Sequence, residues 1–267
     1  MPSPPGTDPQ RRRLLREAVD QFAADLATAE SGQRVPGLEW TVGELGAHLV
    51  VLPRLYREMA DQPEPMPIPA DGHRFSADRI RAVETRRSED LAALTRREVM
   101  DLLDYYGDDP DARFNHWAVE QPLAVIESTL LDEFLIHGRD LGAAKGNIRP
   151  ISRTQAITAL DGVLPVAANF VDPEAAGDLT ATVHLHMRGD REVEAVDWTQ
   201  TIAQGAMTVT RTRPRRPDVR IHADPVAFLL LSLGRIGRIR PTLTGKVVAY
   251  GRKPWLAARL PNIFLDV

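Results

Sequence analysis

The chain has no cysteine among its 267 residues. It therefore cannot form a disulfide bond, and it offers neither a thiolate ligand for a metal nor a cysteine nucleophile. Any thiol chemistry would need a thiol supplied from outside. Lysine is scarce as well, and arginine supplies almost all of the 33 basic residues. Together with the many alanines, this usage is typical of a high-GC bacterial genome.

No run of apolar residues approaches the ~20 that a membrane-spanning helix needs. Residues 1–10 are rich in proline and polar side chains and lack the apolar core of a signal peptide, so we predict a disordered lead-in and a cytoplasmic protein. The formal net charge of -4 gives no electrostatic reason to expect a nucleic acid partner. Hydrophobic residues at 43% and charged residues at 26% are ordinary for a globular protein.

Helical patterns dominate residues 11–150. Apolar residues recur at three- and four-residue spacings over residues 11–29, which predicts an amphipathic helix. A second helix is expected to begin at Thr41, because Thr41-x-x-Glu44 has the form of a capping box. Pro53 lies inside this second pattern and is expected to kink or end the helix.

Two more helical regions complete the first predicted domain. One covers residues 76–106, and Thr95-x-x-Glu98 offers a second cap and hence a break near Thr95. The other runs over residues 122–144, with Pro122 at its first position. Four main helices with short or moderate joins predict an antiparallel four-helix bundle.

The pattern changes from helical period to strand period near residue 175. With one further helix near residues 155–170, this predicts a separate α+β domain over residues 151–267. The overall fold class is therefore α+β, with the helical bundle first. The remaining predicted strands are 180–187, 207–211, 218–222 and 242–249, and the remaining predicted helices are 225–233 and one from Pro254.

A candidate metal site lies in the predicted bundle. Glu133 and His137 are four residues apart on the fourth helix, so both side chains project from one face within reach of one ion. His48 on the second helix could add a third ligand across the bundle interior. Two histidines, one carboxylate and an open position form a pattern typical of catalytic zinc.

The four-residue spacing carries little weight alone. With 37 acidic residues and seven histidines, about one acid-x-x-x-His pair is expected by chance. The chain has three such pairs, including Glu44 with His48 and Asp218 with His222. The pair Glu133 and His137 differs because it shares a helix face with leucine and phenylalanine side chains, where a carboxylate is costly to bury without a cation or strong donors. A hydrogen-bonded core histidine is the alternative.

Two segments resemble the mycothiol-dependent maleylpyruvate isomerase family. Residues 35–49, VPGLEWTVGELGAHL, are similar to its P-G-x-x-W-T-x-x-x-L-x-x-H-L signature, and residues 133–142, EFLIHGRDLG, are similar to its E-x-x-x-H-x-x-D-L helix. The resemblance implies a DinB-like four-helix bundle over residues 11–150 that holds a metal through His48, Glu133 and His137.

The same resemblance extends to the second domain and to the cofactors. Residues 151–267 look like the sterol-carrier-like domain that often follows this bundle. The implied cofactors are a divalent metal and mycothiol as an external thiol. Zinc is the expected metal, ahead of iron, nickel or manganese. An external thiol suits a chain that has no cysteine and a composition like that of actinobacterial proteins. The implied reaction is thiol addition to a small electrophilic substrate, followed by isomerisation or retention as an S-conjugate.

The resemblance also implies anion-binding arginines. Arg79, at the start of the third helical region, and Arg235, after the apolar helix of the second domain, would bind substrate carboxylates. Because arginine is abundant, Arg81, Arg238 or Arg240 could serve instead. Asp140 could orient the His137 imidazole, or it could be an ordinary surface residue.

Three other histidines and one tryptophan receive assignments outside the metal site. His184 and His186 alternate on a predicted strand, and we interpret them as structural because no carboxylate partner is evident near them in sequence. His116 and Trp117 could line a pocket mouth, with core packing the more ordinary role for Trp117.

Two hypotheses of other classes stay open. The chain could be a non-catalytic carrier of hydrophobic ligands, with its function in residues 151–267, or a metal-stabilised binding module without turnover. In the enzyme hypothesis the partners are a small-molecule substrate and a low-molecular-weight thiol, with no nucleic acid and no membrane. The expected state is a monomer or a homodimer.

Overall fold

The computed structural model describes residues 9–265 and divides the chain into two compact units that meet at Pro150 and Ile151 in the sequence. The predicted lead-in lies outside the described residues except for Pro9 and Gln10, which open the first helix. The predicted α+β class is confirmed, because a helical unit is followed by a unit built on a sheet.

The first unit contains four long helices that pack as a bundle. Helices α1 and α2 each contact both α4 and α5, and the largest buried side chains of the unit include Phe22 and Phe134 in edge-to-face contact at 5.7 Å. The elements are α1 (Pro9–Ala27), α2 (Val42–Ala60), α3 (Gly72–Ala82), α4 (Ser88–Tyr106), β1 (Arg113–His116), β2 (Val119–Pro122) and α5 (Leu123–Ala144).

Helix α2 begins as its sequence predicts. The Thr41 side chain accepts from the Glu44 backbone N–H, and the Glu44 carboxylate accepts from the Thr41 backbone N–H, which completes the capping box. Pro53 does not end the helix, which continues to Ala60. The residues after Pro53 are held by burial, since Leu55, Tyr56 and Met59 are almost fully covered.

The third predicted helical region is two helices, and its break lies elsewhere than expected. Helix α3 ends at Ala82 and α4 begins at Ser88, whereas Thr95 lies inside α4. The Thr95 hydroxyl donates to the Leu91 carbonyl at 2.8 Å. Because the buried Thr95 hydroxyl is hydrogen-bonded to the preceding helical turn, Thr95 stays in the helix and the predicted N-cap does not form.

A short hairpin precedes α5 and was not predicted. Strands β1 and β2 pair antiparallel, with Arg113 opposite Pro122 and His116 opposite Val119. Ala118 at the turn has φ of 61°. Alanine rarely adopts this left-handed conformation, so the sequence gives no turn signal here. Pro122 consequently caps α5 from the end of a strand and is not its first helical residue.

The second unit is a mixed five-stranded sheet with helices. Its strand order is β5-β4-β3-β6-β7, and β3 pairs parallel with β6 while the other neighbours are antiparallel. The elements are α6 (Arg153–Ala167), a 3-10 turn (Ala168–Phe170), α7 (Pro173–Ala176), β3 (Ala181–Met187), β4 (Val196–Ala203), β5 (Ala206–Thr210), β6 (Val219–Ala223), α8 (Pro225–Ser232), α9 (Ile239–Leu243), β7 (Val247–Gly251), α10 (Leu256–Arg259) and a closing 3-10 turn (Leu260–Ile263).

Two elements of the sheet differ from the sequence prediction. Strand β4 was missed, because its core-facing positions include the polar Gln200 beside Trp198 and Ile202, which interrupts the apolar alternation. The last strand begins at Val247 and not near residue 242, since residues 239–243 form the short helix α9. Within residues 9–265, no helix is long and apolar enough to cross a membrane.

Candidate metal centre

Helices α2 and α5 bring the three predicted ligands together. His48 projects from α2, and Glu133 and His137 project from α5 one turn apart. The Glu133 Oε2 atom lies 3.5 Å from His48 Nε2 and 3.4 Å from His137 Nε2. All three donor atoms lie within 4.8 Å of one another, so one carboxylate oxygen and two imidazole nitrogens face a common point.

The spacing of these donors fits a metal ion better than a hydrogen-bonded cluster. With metal–ligand bonds of about 2.0–2.2 Å, the ligand atoms of a tetrahedral zinc site lie about 3.3–3.6 Å apart. Both nitrogen–oxygen distances fall in this range and exceed the usual length of an N–H···O hydrogen bond. The residues present therefore fit a divalent cation with three protein ligands.

Asp140 orients one of the predicted ligands. Its Oδ2 lies 3.0 Å from His137 Nδ1, and both side chains are buried. Because an ionised carboxylate only accepts, this contact places the Nδ1 proton toward Asp140 and directs Nε2 toward Glu133 and His48. A carboxylate, an imidazole and an ion in this order is the common arrangement around zinc.

Charge in the cluster also favours a cation. Burial raises the pKa of Glu133, but the adjacent imidazoles of His137 and His48 outweigh it and hold that pKa well below its ordinary value. Burial lowers the pKa of His137, but Asp140 and Glu133 outweigh it and raise this pKa to about 9. Burial lowers the pKa of His48, which is therefore neutral near pH 7.

These ionisation states suit a cation at the common point of the donors. Glu133 offers an ionised carboxylate and His48 a neutral imidazole. A divalent ion bound there would displace the proton from His137 Nε2, which would make all three donors available.

Residues 12–142 match the family model described as the mycothiol maleylpyruvate isomerase N-terminal domain. The matched segment contains His48, Glu133, His137 and Asp140. Residues 12–142 are therefore a domain of the mycothiol maleylpyruvate isomerase family, and the family predicted from the two signature segments is confirmed for this part of the chain.

Solved structures include two kinds of relative at low identity. The mycothiol-dependent maleylpyruvate isomerase is 17% identical, with 90% of this chain and 91% of that chain covered and a TM-score of 0.49. Sterol Carrier Protein 2 Like 2 from Aedes aegypti is also 17% identical, with 42% of this chain and 100% of that chain covered and a TM-score of 0.36. Neither likeness is close enough to carry a functional argument. No curated protein matches the sequence significantly.

An aromatic side chain lies beside the two predicted histidine ligands. The Trp40 ring centroid is 4.8 Å from that of His48 and 5.9 Å from that of His137. Trp40 directly precedes the cap residue Thr41, so the capping box that starts α2 also positions this ring. The position of Trp40 beside the two histidines was not predicted. A usable signal was present, since Trp40 lies in the signature segment directly before the start of α2.

Arg79 lies near the end of α3 and not at its start. Its guanidinium contacts Glu58 at 3.0 and 3.1 Å and lies 3.8 Å from the centre of the Phe75 ring. Glu58 is ten residues beyond His48 on α2, which corresponds to about 15 Å along the helix axis. The structure thus places Arg79 on a carboxylate of its own chain, and its role toward an anionic substrate stays a prediction.

Arg235 belongs to the second unit, where it follows α8. Gly234 precedes it with φ of 68°, and the Arg235 backbone N–H donates to the Leu230 carbonyl at 2.8 Å. Its side chain donates to the Leu233 carbonyl at 2.8 Å. This turn fixes the backbone at Arg235, and the predicted anion-binding role stays untested.

His116 and Trp117 are placed by the hairpin before α5. His116 is buried against Tyr56, with ring centroids 4.8 Å apart, and burial lowers its pKa to about 4. Trp117 makes an edge contact with Phe75 at 5.8 Å. His116 is therefore a neutral, packed imidazole.

The structural interpretation of His184 and His186 assumed that no carboxylate partner lies near them, and this assumption was wrong. Asp197 on β4 lies directly opposite His186, and its Oδ1 lies 2.7 Å from His184 Nε2 and 2.9 Å from His186 Nδ1. A carboxylate partner is present because β4 pairs with β3. It was missed because β4 itself was not predicted.

Proposed function

We propose that the N-terminal domain binds one divalent metal ion through His48, Glu133 and His137, with zinc as the preferred metal. We further propose that the chain uses mycothiol to isomerise or S-conjugate a small, electrophilic and anionic substrate. The observation that carries this proposal is the spacing of the three donor atoms, 3.4 and 3.5 Å, inside a domain of this family.

His48, Glu133 and His137 would hold the metal. A divalent ion bound by them would act as a Lewis acid that lowers the pKa of a thiol and so would provide a thiolate near neutral pH. The protein's own contribution is orientation: Asp140 holds the Nδ1 proton of His137, and Glu133 stays ionised between the two imidazoles. The Trp40 ring lies beside the histidine pair, with its centroid 4.8 Å from that of His48 and 5.9 Å from that of His137.

The proposed reaction conserves atoms in both of its forms. In the isomerase form, the thiol sulfur bonds to one carbon of an electrophilic double bond, the resulting single bond rotates, and the carbon–sulfur bond breaks again. In the S-transferase form, the carbon–sulfur bond is kept and the neighbouring carbon takes a proton. Arg79 and Arg235 are the proposed partners of substrate carboxylates, and for Arg79 this requires release from Glu58.

The test is metal content and thiol-dependent turnover measured on the same preparations. The full chain is purified without chelator or nickel affinity, and zinc is measured beside the His137→Ala variant. Maleylpyruvate is then offered with mycothiol, and formation of either the isomer or the thiol adduct is followed. We expect turnover that requires both zinc and the thiol and that is lost in His137→Ala.

The control variant is His73→Gln, because His73 is exposed on α3 and lies outside the cluster. It should keep the zinc and the turnover of the parent. Zinc binding with neither product would exclude maleylpyruvate as the substrate and leave the metal site standing. Absence of any bound metal from the parent, by elemental analysis, would overturn the catalytic proposal and favour the hypothesis of a hydrophobic-ligand carrier.

A further inference from the structure

One face of the second unit's sheet carries a cluster of histidines around a carboxylate. His184 and His186 are two apart on β3 and therefore point to the same side of the sheet. Asp197 on β4 and His222 on β6 are the cross-strand partners of His186. The opposite face of β3 is apolar and buried, so this polar face is distinct from the core.

The donor atoms of this cluster converge. Asp197 Oδ1 lies 2.7 Å from His184 Nε2 and 2.9 Å from His186 Nδ1, and the three donors lie within 4.8 Å of one another. The His184 side chain is 1% exposed, whereas those of His186 and Asp197 are 25% and 26% exposed. The cluster thus has a buried inner ligand and two outer ligands in contact with solvent.

We propose that His184 Nε2, His186 Nδ1 and the Asp197 carboxylate form a second site for a divalent transition metal. The donor set, two imidazoles and one carboxylate, is the same as that of the first cluster and suits zinc. The ion enters from the solvent side, past His186 and Asp197. The site belongs entirely to the second unit and does not depend on the first.

Binding requires a small expansion of the cluster. The present nitrogen–oxygen distances are those of hydrogen bonds, and a tetrahedral zinc ion needs them to open by roughly 0.4–0.9 Å. The side chains of His186 and Asp197 can supply this movement, since both are partly exposed and neither is packed in the core.

This second site should bind more weakly than the first. His137 has Asp140 behind it, whereas the Nδ1 atom of the buried His184 has no hydrogen-bond partner within the described chain. His222 packs on His186 with ring centroids 4.5 Å apart, but its Nε2 lies 2.9 Å from the Tyr250 hydroxyl. Without an orienting carboxylate, zinc affinity is expected to be about 10- to 100-fold lower.

Zinc titration of the metal-free full chain tests the proposal. We expect two classes of sites and about two zinc ions per chain at saturation. Asp197→Asn, which keeps the shape of the side chain, and His186→Gln should each remove the weaker class and keep the tighter one. His137→Ala should do the reverse, so failure of the first site is distinguishable from failure of the second. His73→Gln should keep both classes.

Crystals grown with zinc give a measurement that needs no variant. An anomalous peak about 2.0–2.2 Å from His184 Nε2, His186 Nδ1 and Asp197 would establish the site. Two results would overturn it: a single class of sites in the parent chain that His137→Ala removes and Asp197→Asn keeps, or a weaker class that survives in folded Asp197→Asn and His186→Gln. In that case the cluster is a hydrogen-bonded network that stabilises the pairing of β3 with β4.

Discussion

The Nδ1 atom of His137 lies 3.0 Å from the Oδ2 atom of Asp140, one turn further along α5. Both side chains are buried, so this contact is shielded from water and fixes the orientation of the imidazole. The same helix carries Glu133 one turn earlier on the other side of the histidine. A single helical stripe therefore supplies two proposed metal ligands and the group that orients one of them.

Asp140→Asn should weaken zinc binding at the first site by about 10- to 100-fold, because the amide cannot hold the Nδ1 proton as strongly as a carboxylate does. Affinity is measured by competition with a chromophoric chelator. The matched control is Asp104→Asn, since Asp104 is an exposed aspartate on α4. Equal affinities for both variants and the parent would mean that the contact is structural and does not tune the metal.

Zinc affinity at the first site should rise with pH up to about pH 9. The pKa of His137 is raised to about 9 in the metal-free protein, so a proton must leave when zinc binds at neutral pH. Affinity should therefore fall about tenfold for each pH unit below that pKa, with about one proton released per ion at pH 7. His48 adds no proton, because burial lowers its pKa.

Calorimetry at pH 7 in buffers of different ionisation enthalpy counts the released protons. The stability of the metal-free protein has the opposite trend: a raised pKa stabilises the folded state fully below the unfolded value near 6.5, and this contribution is lost as pH rises through about 9. A proton count of zero, with affinity constant between pH 7 and 8, would contradict the assigned ionisation of His137.

The convergence of His48, Glu133 and His137 could be predicted from sequence because the key spacing is local. Residues four apart on a helix share a face whatever the rest of the fold does, so the sequence alone pairs Glu133 with His137. Adding His48 required only that α2 and α5 pack together in the bundle. Asp140 lies three residues beyond His137 and follows from the same helical geometry.

The cluster around Asp197 could not be predicted in this way. Its members lie on different strands, and cross-strand neighbours depend on which strands pair and in what register. Strand β4 has the buried polar Gln200 among its core-facing residues. This residue obscures the alternation of apolar and polar side chains that would predict a strand. The ion pair of Arg79 with Glu58 has the same origin, since it joins two helices and no sequence spacing indicates it.

Tryptophan emission should report the first zinc ion. Trp40 lies 4.8 Å from the His48 ring and 5.9 Å from the His137 ring, so binding changes the charge and position of both neighbours. Fluorescence titration should show a change that saturates with the tighter site and disappears in Trp40→Phe. Trp255→Phe is the control, because Trp255 is exposed and belongs to the second unit. A change that persists in Trp40→Phe would place the first ion elsewhere.

Two glycines of α5 should respond in opposite directions to the same substitution. A Cβ atom at Gly142 would lie 2.7 Å from the Asn147 carbonyl oxygen and 3.2 Å from the Ile148 Cα, and both are backbone atoms that cannot turn away. Gly142→Ala should therefore lower the free energy of unfolding by about 1–3 kcal/mol. A Cβ atom at Gly138 meets nothing within 4 Å, so Gly138→Ala should raise it by about 0.5–1 kcal/mol through reduced backbone entropy of the unfolded chain. Urea denaturation of both metal-free variants measures the difference in the free energy of unfolding. If Gly142→Ala were as stable as Gly138→Ala, the backbone of Asn147 and Ile148 would not pack against the end of α5.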